Sequence, residues 1–274
     1  MAQQLIECVP NFSEGNDLSI IKQITNEIES VEGVRLLNVD PGKATNRTVV
    51  TMVGEPANVI EAAFKAIKKA GELIDMSKHK GEHPRMGATD VCPLIPIANI
   101  SMEETAKYAQ QLAKRVGEEL NIPVYLYEAA QPDTTRNNLS VIRAGEYEGF
   151  FNKIKEPQWK PDFGPAEFDA KRGGTVIGAR DFLVAYNINL NTTSTRRANA
   201  IAFDVREAGR NVEVNGQKVN QPGTLKSVKA IGWFIEEYGV AQISMNLTNI
   251  NITPVHVAFD EVCTKATARG IRVT

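Results

Sequence analysis

Apolar and polar positions along this chain follow two rhythms, a helical one and an alternating one, and the points where one gives way to the other sketch the fold. Gln4 to Val9 reads as a short strand. After a cap at Asn16 or Asp17, Leu18, Ile21, Ile24, Ile28 and Val31 keep helical spacing until Gly33 ends the run. Val34 to Val39 and Thr48 to Val53 are β-branched-rich runs around a turn centred on Pro41 and Gly42, which predicts an antiparallel hairpin. Pro56 opens a second helix, with its apolar face running from Val59 to Ile74. The run VCPLIPI at 91–97 predicts a buried strand, and its prolines confine it to a sheet edge or a strand end. Ser101 and Glu104 carry the S-x-x-E signature of a helix reaching about Leu120, and Pro123 to Tyr127 predicts a strand that extends the first sheet.

From Asp133 to Gly174 the periodicity fades into polar, proline-containing sequence broken by an apolar patch at Phe150, Phe151 and Trp159; so long a stretch is a functional loop or a linker. Phe182 to Leu190 is a strand, Thr193 or Ser194 caps a helix through Val205, Val228 to Ile235 and Val240 to Leu247 are strands, and a helix follows from about Val255 to Ala268. Asn215-Gly216 signals a small inserted hairpin. The second half thus repeats the element order of the first. An α+β fold is expected, made of two ferredoxin-like βαββαβ-type subdomains over residues 1–180 and 181–274, with their sheets facing each other across a groove. Ile271 to Thr274 begins a last strand that the chain is expected to leave short. An open edge favours association with another chain, and a homodimer is expected.

Composition narrows the function. The chain has 274 residues, 42 % hydrophobic and 23 % charged, with a formal net charge of -2, and no long Lys/Arg block offers a surface for nucleic acid. The N-terminus lacks a signal peptide's basic start and apolar core, and no apolar run approaches the roughly 18 residues of a membrane span, so a cytoplasmic protein is expected. Cys8, Cys92 and Cys263 are far apart among apolar neighbours and read as buried thiols, with neither a disulfide nor structural zinc.

The candidate chemistry is concentrated in MSKHKGEHPRMGATDVCPLIPI, Met76 to Ile97. Gly81, Pro84 and Gly87 forbid a helix there, which makes the polar part a loop ahead of a strand. His83, held extended by Pro84, is the candidate base, with acidic residues nearby, Glu82 among them, able to orient it. Arg85 suits a carboxylate. The His79/His83 spacing is a weak metal signal, since two histidines converge on an ion when they share a helix face, and no metal is expected. Asp40, at the end of a strand near this loop, is a candidate orienter of His83. Pro41-Gly42-Lys43 lacks the rest of a phosphate loop, and neither G-x-S-x-G nor G-x-G-x-x-G occurs. In FLVAYNINLN the alternation puts Ala185, Asn187 and Asn189 on one face and Tyr186, Ile188 and Leu190 on the other, so Asn187 and Asn189 are expected to line the groove opposite His83.

ECVPNFSEG (7–15), TNRTVVTMVGEP (45–56), LIDMSKHKGEHPRMGATDVCPLIPI (73–97), PVYLYE (123–128), IRAGEYEG (142–149), PDFGP (161–165) and FLVAYNINLN (182–191) together resemble the formiminotransferase domain family over nearly the whole chain. The resemblance implies transfer of the formimidoyl group from N-formimidoyl-L-glutamate to N5 of tetrahydrofolate, a step of histidine degradation and one-carbon metabolism. Folate and glutamate-derived molecules are then the partners, with tetrahydrofolate as cosubstrate and no tightly bound cofactor. The family's catalytic histidine falls on His83. Its folate-contacting segment falls on Gly164, Pro165, Ala166, Glu167, Phe168, Asp169, Ala170, Lys171, Arg172 and Gly173, and Arg47 and Arg85 are candidates for glutamate carboxylates. The NVEVNGQKVNQPG insertion is longer than in the animal enzymes, and a stand-alone, C-terminally shortened transferase without a cyclodeaminase domain is expected. A formyl donor, or a non-catalytic folate- or amino-acid-binding module on the same fold, are the alternatives.

Overall fold

The computed structural model describes residues 3–81, 83–214 and 216–274, which divide into two units, 1–180 and 181–274. Glu82 and Asn215, singled out in the sequence, lie outside the described residues.

In the first unit Leu5–Cys8 (β1) and Asn11–Phe12 (β2) lie in line, interrupted at Val9 and Pro10. Asp17 then caps Leu18–Glu29 (α1) by accepting from the amides of Ser19 and Ile20, and Ile21, Ile24 and Ile28 bury the apolar stripe. Val34–Gly42 (β3) and Arg47–Gly54 (β4) form the expected hairpin, with a bulge between Leu36 and Asn38. Pro56–Leu73 (α2), Thr89–Ala98 (β5), Met102–Leu120 (α3) and Val124–Glu128 (β6) follow. The capping box is complete: Ser101 Oγ accepts from the Glu104 amide at 3.1 Å, and Glu104 Oε2 accepts from the Ser101 amide at 2.9 Å. Ser101→Ala should lower the unfolding free energy of this unit by about 1 kcal/mol, read as a shift of the urea midpoint at constant slope.

The stretch 133–174 is neither linker nor bare loop. It carries two short helices, Leu139–Ile142 (α4) and Glu146–Lys153 (α5), and then delivers a strand that the hydrophobic pattern does not announce, Thr175–Ala179 (β7). The seven-stranded sheet runs β3, β4, the β1/β2 pair, β5, β7, β6, antiparallel as far as β5 and parallel from β5 through β7 to β6. Its βαββαβ part has the strand order of a ferredoxin-like fold. α1, α2 and α3 cover one face, while Phe150, Ile142 and Ile154 pack with Met86, Tyr125 and Val176 in a separate cluster.

β5 corrects an expectation, because it lies inside the sheet. Pro93 O accepts from the Val9 amide at 3.2 Å, so the donor that Pro93 lacks would point to the same side, where β1 and β2 are interrupted. Pro96 lies beyond Leu94, the last residue paired with β7. Both prolines fall where the ladder asks for no N–H.

The second unit comprises Val184–Asn189 (β8), Thr195–Val205 (α6) capped by Ser194, a hairpin of Arg210–Val214 (β9) and Gln217–Gln221 (β10), then Val228–Ile235 (β11), Val240–Leu247 (β12) and Val255–Thr267 (α7). Its antiparallel sheet is ordered β11, β12, β8, and α6 and α7 close over a core that includes Ile188, Ile201, Ile243 and Val262. After α7 the chain reaches the other side of β8, where Val273 bridges Leu190 and the Thr274 amide donates to Asn189 O.

Candidate active site

The loop between α2 and β5 is fixed at both ends. The Met76 amide donates to Lys171 O at 2.8 Å, the Met86 amide to Asp90 Oδ1 at 3.0 Å, and Ser13 Oγ to Gly87 O at 2.7 Å. Its middle is stitched to the β3–β4 turn: Asn46 Nδ2 donates to Lys80 O, and Gly81 passes so close that a Cβ there would lie 2.3 Å from Thr45 O. Only glycine permits that approach.

His83 is half-buried, with Nδ1 2.7 Å from Pro84 O. A carbonyl only accepts, so Nδ1 carries the proton and the Nε2 lone pair is left available. Burial, then the positive fields of Arg47 and Arg143, pull the imidazole pKa down to about 3 against the opposing pull of the Pro84 bond. At neutral pH His83 is therefore uncharged. His79 has the other tautomer and bridges two partners. Its Nε2 donates to Asn46 O at 2.8 Å, while Nδ1 accepts from Arg85 Nε at 3.2 Å. Among the described residues no group of three His, Cys, Asp or Glu side chains is placed to hold a metal ion.

Arg85, expected as an anion anchor, is 6 % exposed and already engaged. It grips Glu148 through Nη1 at 2.9 Å and Nη2 at 2.6 Å, reaches Glu146 at 3.1 Å and holds His79. These residues line a 740 Å³ cavity together with Met76, Lys80 and Gly81. Asp40 is exposed within β3, and its carboxylate contributes to the field at Arg47; the Nδ1 proton of His83 has Pro84 O as its acceptor, so the orienting group is that carbonyl rather than Asp40.

Asp90 and Arg143 were missed as a pair. Asp90 is fully buried and its Oδ2 accepts from Arg143 Nη2 at 2.6 Å. Arg47 donates to Asn11 Oδ1, and its pKa is drawn down to about 10, chiefly by burial, so it stays charged. The Nε of Arg47 and the Nε of Arg143 are both buried without a partner among the described residues. A lone arginine in polar sequence gives no sign of this; the one available sign was Asp90, a carboxylate at the start of an otherwise apolar strand.

In the 164–173 segment, Gly164 and Gly173 have φ of 83° and 67°, and a Cβ on either would run into a carbonyl, that of Ile122 or of Met86. Asp169 folds the turn by accepting from the amides of Lys171 and Arg172. Lys171 Nζ reaches Glu72 O at 2.7 Å and Arg172 reaches Leu120 O at 2.6 Å, so both cations serve carbonyls at helix C-termini. Phe168 packs edge-to-face with Phe150 and Phe151 and tilted against Tyr147, and Ala170 O accepts from the Tyr147 hydroxyl. Through Tyr147 the segment adjoins the cavity, while Pro165 is half-buried and Ala166 and Glu167 are exposed. Asn187 and Asn189 belong to the second unit, on the face of β8 away from its core. Asn187 is exposed, and Asn189 Oδ1 accepts from Gln242 Nε2, whose own Oε1 accepts from Trp233.

Fold and site together define an α+β protein whose first unit holds a half-buried histidine kept neutral by its burial and by the positive fields of two arginines. Residues 5–180 match the family model for the formiminotransferase domain, N-terminal subdomain, and residues 185–274 match that for the formiminotransferase domain. The chain belongs to the formiminotransferase family. It is 44 % identical to a glutamate formimidoyltransferase of Thermoplasma acidophilum, covering 97 % of this chain and 84 % of that one, and 39 % identical to one of Streptococcus pyogenes, covering 98 % and 86 %. It is 52 % identical to a formimidoyltransferase-cyclodeaminase of Dictyostelium discoideum over 96 % of this chain, but spans only 47 % of that longer relative.

Proposed function

We propose that the protein transfers the formimidoyl group of N-formimidoyl-L-glutamate to N5 of tetrahydrofolate, releasing L-glutamate, within histidine degradation and one-carbon metabolism. The observation that carries the reading is the His83 tautomer, with Nδ1–H held by Pro84 O and Nε2 unprotonated. Tetrahydrofolate supplies the nucleophilic nitrogen. His83 Nε2 takes the proton from that nitrogen as its bond to the formimidoyl carbon forms, and returns a proton to the glutamate nitrogen as the old C–N bond breaks. An imidazolium of low pKa is a strong acid for that second step. Arg85 acts by position: with Glu148 and His79 it keeps the loop bearing His83 in place. The 164–173 segment and the cavity beside it are assigned to folate. The reading takes the protein as a cytoplasmic homodimer, and no helix among the described residues is long and apolar enough to cross a membrane.

Initial rates with N-formimidoyl-glutamate and with N-formyl-glutamate, each with tetrahydrofolate, test the assignment. Transfer from the first donor at the higher kcat/KM is expected; preference for the formyl donor, or folate binding with no transfer, would overturn it. His79→Ala should cost about 1–3 kcal/mol of stability through the partners it leaves at Asn46 and Arg85, with a far smaller loss of turnover than substitution of His83. Equal losses in turnover would mean that the two histidines share the chemistry.

A further inference from the structure

We infer that Arg143, held by Asp90 and working beside Arg47, is the residue that selects the donor by its α-carboxylate. This inference rests on the reaction proposed above and names the subsite that the reaction leaves undefined. Each guanidinium spends one Nη2 on the protein, Arg143 on Asp90 and Arg47 on Asn11, and each keeps a buried Nε–H without a partner among the described residues. A buried donor left unmade is costly, so such donors mark a place for an acceptor that arrives from outside. The charges lead to the same conclusion. Among the described residues two half-buried cations face one fully buried carboxylate, and Asp40, which adds to the field at Arg47, is exposed and screened by water. These described groups leave one positive charge over, together with N–H groups in the planar fork that suits a carboxylate.

The position next to His83 decides which carboxylate. Asp90 ties Arg143 to the loop that carries His83, accepting from Arg143 through Oδ2 and from the Met86 amide, three residues past His83, through Oδ1. The fields of both arginines reach the imidazole, so an anion held by them lies on the side of the base. In the donor the α-carboxylate is one carbon away from the nitrogen that His83 must protonate. The γ-carboxylate lies at the end of the side chain, and folate's own glutamate lies beyond its p-aminobenzoyl ring, far from N5. The carboxylate that fits beside the base is the α-carboxylate. Arg85, committed to Glu146 and Glu148, cannot also serve it.

The test compares two ligands that differ only in this group. L-glutamate and 4-aminobutyrate share the amine and the distal carboxylate, and their N-formimidoyl derivatives serve as donors. With the intact protein, loss of the α-carboxylate should weaken calorimetric binding and lower donor kcat/KM by about 10-fold or more, the range of one charge-assisted pair. In Arg143→Lys, which keeps a cation on Asp90 but loses the fork, and in Asp90→Asn/Arg143→Gln, which leaves no buried charge unpaired, the two ligands should become nearly equivalent. KM for tetrahydrofolate should stay unchanged. A folded Arg143 variant that discriminates as strongly as the wild type overturns the inference. If the wild type transfers from neither donor, the proposed reaction fails instead, and the calorimetric comparison still tests the α-carboxylate site.

Discussion

His83→Ala is expected to lower turnover by 10²-fold or more while leaving the thermal midpoint and tetrahydrofolate affinity close to wild type. A general base contributes about 10²–10⁴ to the rate, whereas the deleted ring is half-buried and its hydrogen bond goes to the adjacent residue. The pH profile sharpens this expectation. A histidine whose pKa is about 3, against the ordinary 6.5, is already neutral at pH 6. The acid limb of kcat/KM, which reports the free protein, should therefore lie well below 6.5. A carboxylate on Arg47 and Arg143 offsets the fields that contribute to the depression, so the limb in kcat should lie at higher pH than the limb in kcat/KM. For stability the sign is fixed: the unfolded chain binds the proton that the folded one refuses, so the contribution of His83 is full above 6.5 and declines as pH falls from there toward 3. Wild-type turnover in His83→Ala, or a kcat/KM limb at 6.5 that vanishes with the histidine, would refute the assignment of a neutral base.

Asp90→Ala should be the most damaging single change to the first unit. The carboxylate is fully buried and serves two donors, the Met86 amide at 3.0 Å and Arg143 at 2.6 Å. Its removal strands a guanidinium charge, which costs about 3–5 kcal/mol, and frees the end of the loop that carries His83. For a unit of this size that corresponds to a midpoint about 6–20 °C lower. Asp90→Asn keeps an acceptor for Met86 and should lose less, and removing Arg143 as well as the carboxylate should recover part of the loss. A drop below about 1 kcal/mol for Asp90→Ala, by urea denaturation, would show that Arg143 finds another partner or reaches water.

Much of the fold could be read directly because the signals were local. Ser101 with Glu104 announced one helix, the pairs Asn16/Asp17 and Thr193/Ser194 announced two more to within a residue, and the alternation in β8 announced which of its faces is apolar. β7 escaped because all five of its residues are buried, which erases the alternation that would have marked it. The interior position of β5 was out of reach for a related reason: whether a proline breaks a ladder depends on which neighbour its missing N–H would face, and that is set by strands far away in sequence. In the site, the loop that Gly81, Pro84 and Gly87 impose, with Arg85 and acidic residues close by, made His83 the candidate base. The choice of tautomer is local, set by the adjacent Pro84 carbonyl, but it depends on a side-chain rotamer that sequence does not record. The commitment of Arg85 to Glu148 and the pairing of Asp90 with Arg143 are distances between segments that no spacing along the chain records.

The place of β7 has a consequence for how the protein is made. Val91 in β5 pairs with Val176, and Tyr125 in β6 pairs with the same residue from the other side, so the last strand of the first unit is wedged between two that leave the ribosome long before it. Until Thr175–Ala179 emerges, β6 has no partner strand among the described residues beyond a bridge from Val124 to Phe163, and β5 presents one bare edge, both in apolar sequence. The parallel end of the sheet closes only when β7 inserts between β5 and β6, across a long intervening chain, and such pairing is entropically slow. A nascent chain that stalls short of these five residues is an open template for strands of other chains, and this is the interval in which a chaperone would matter most.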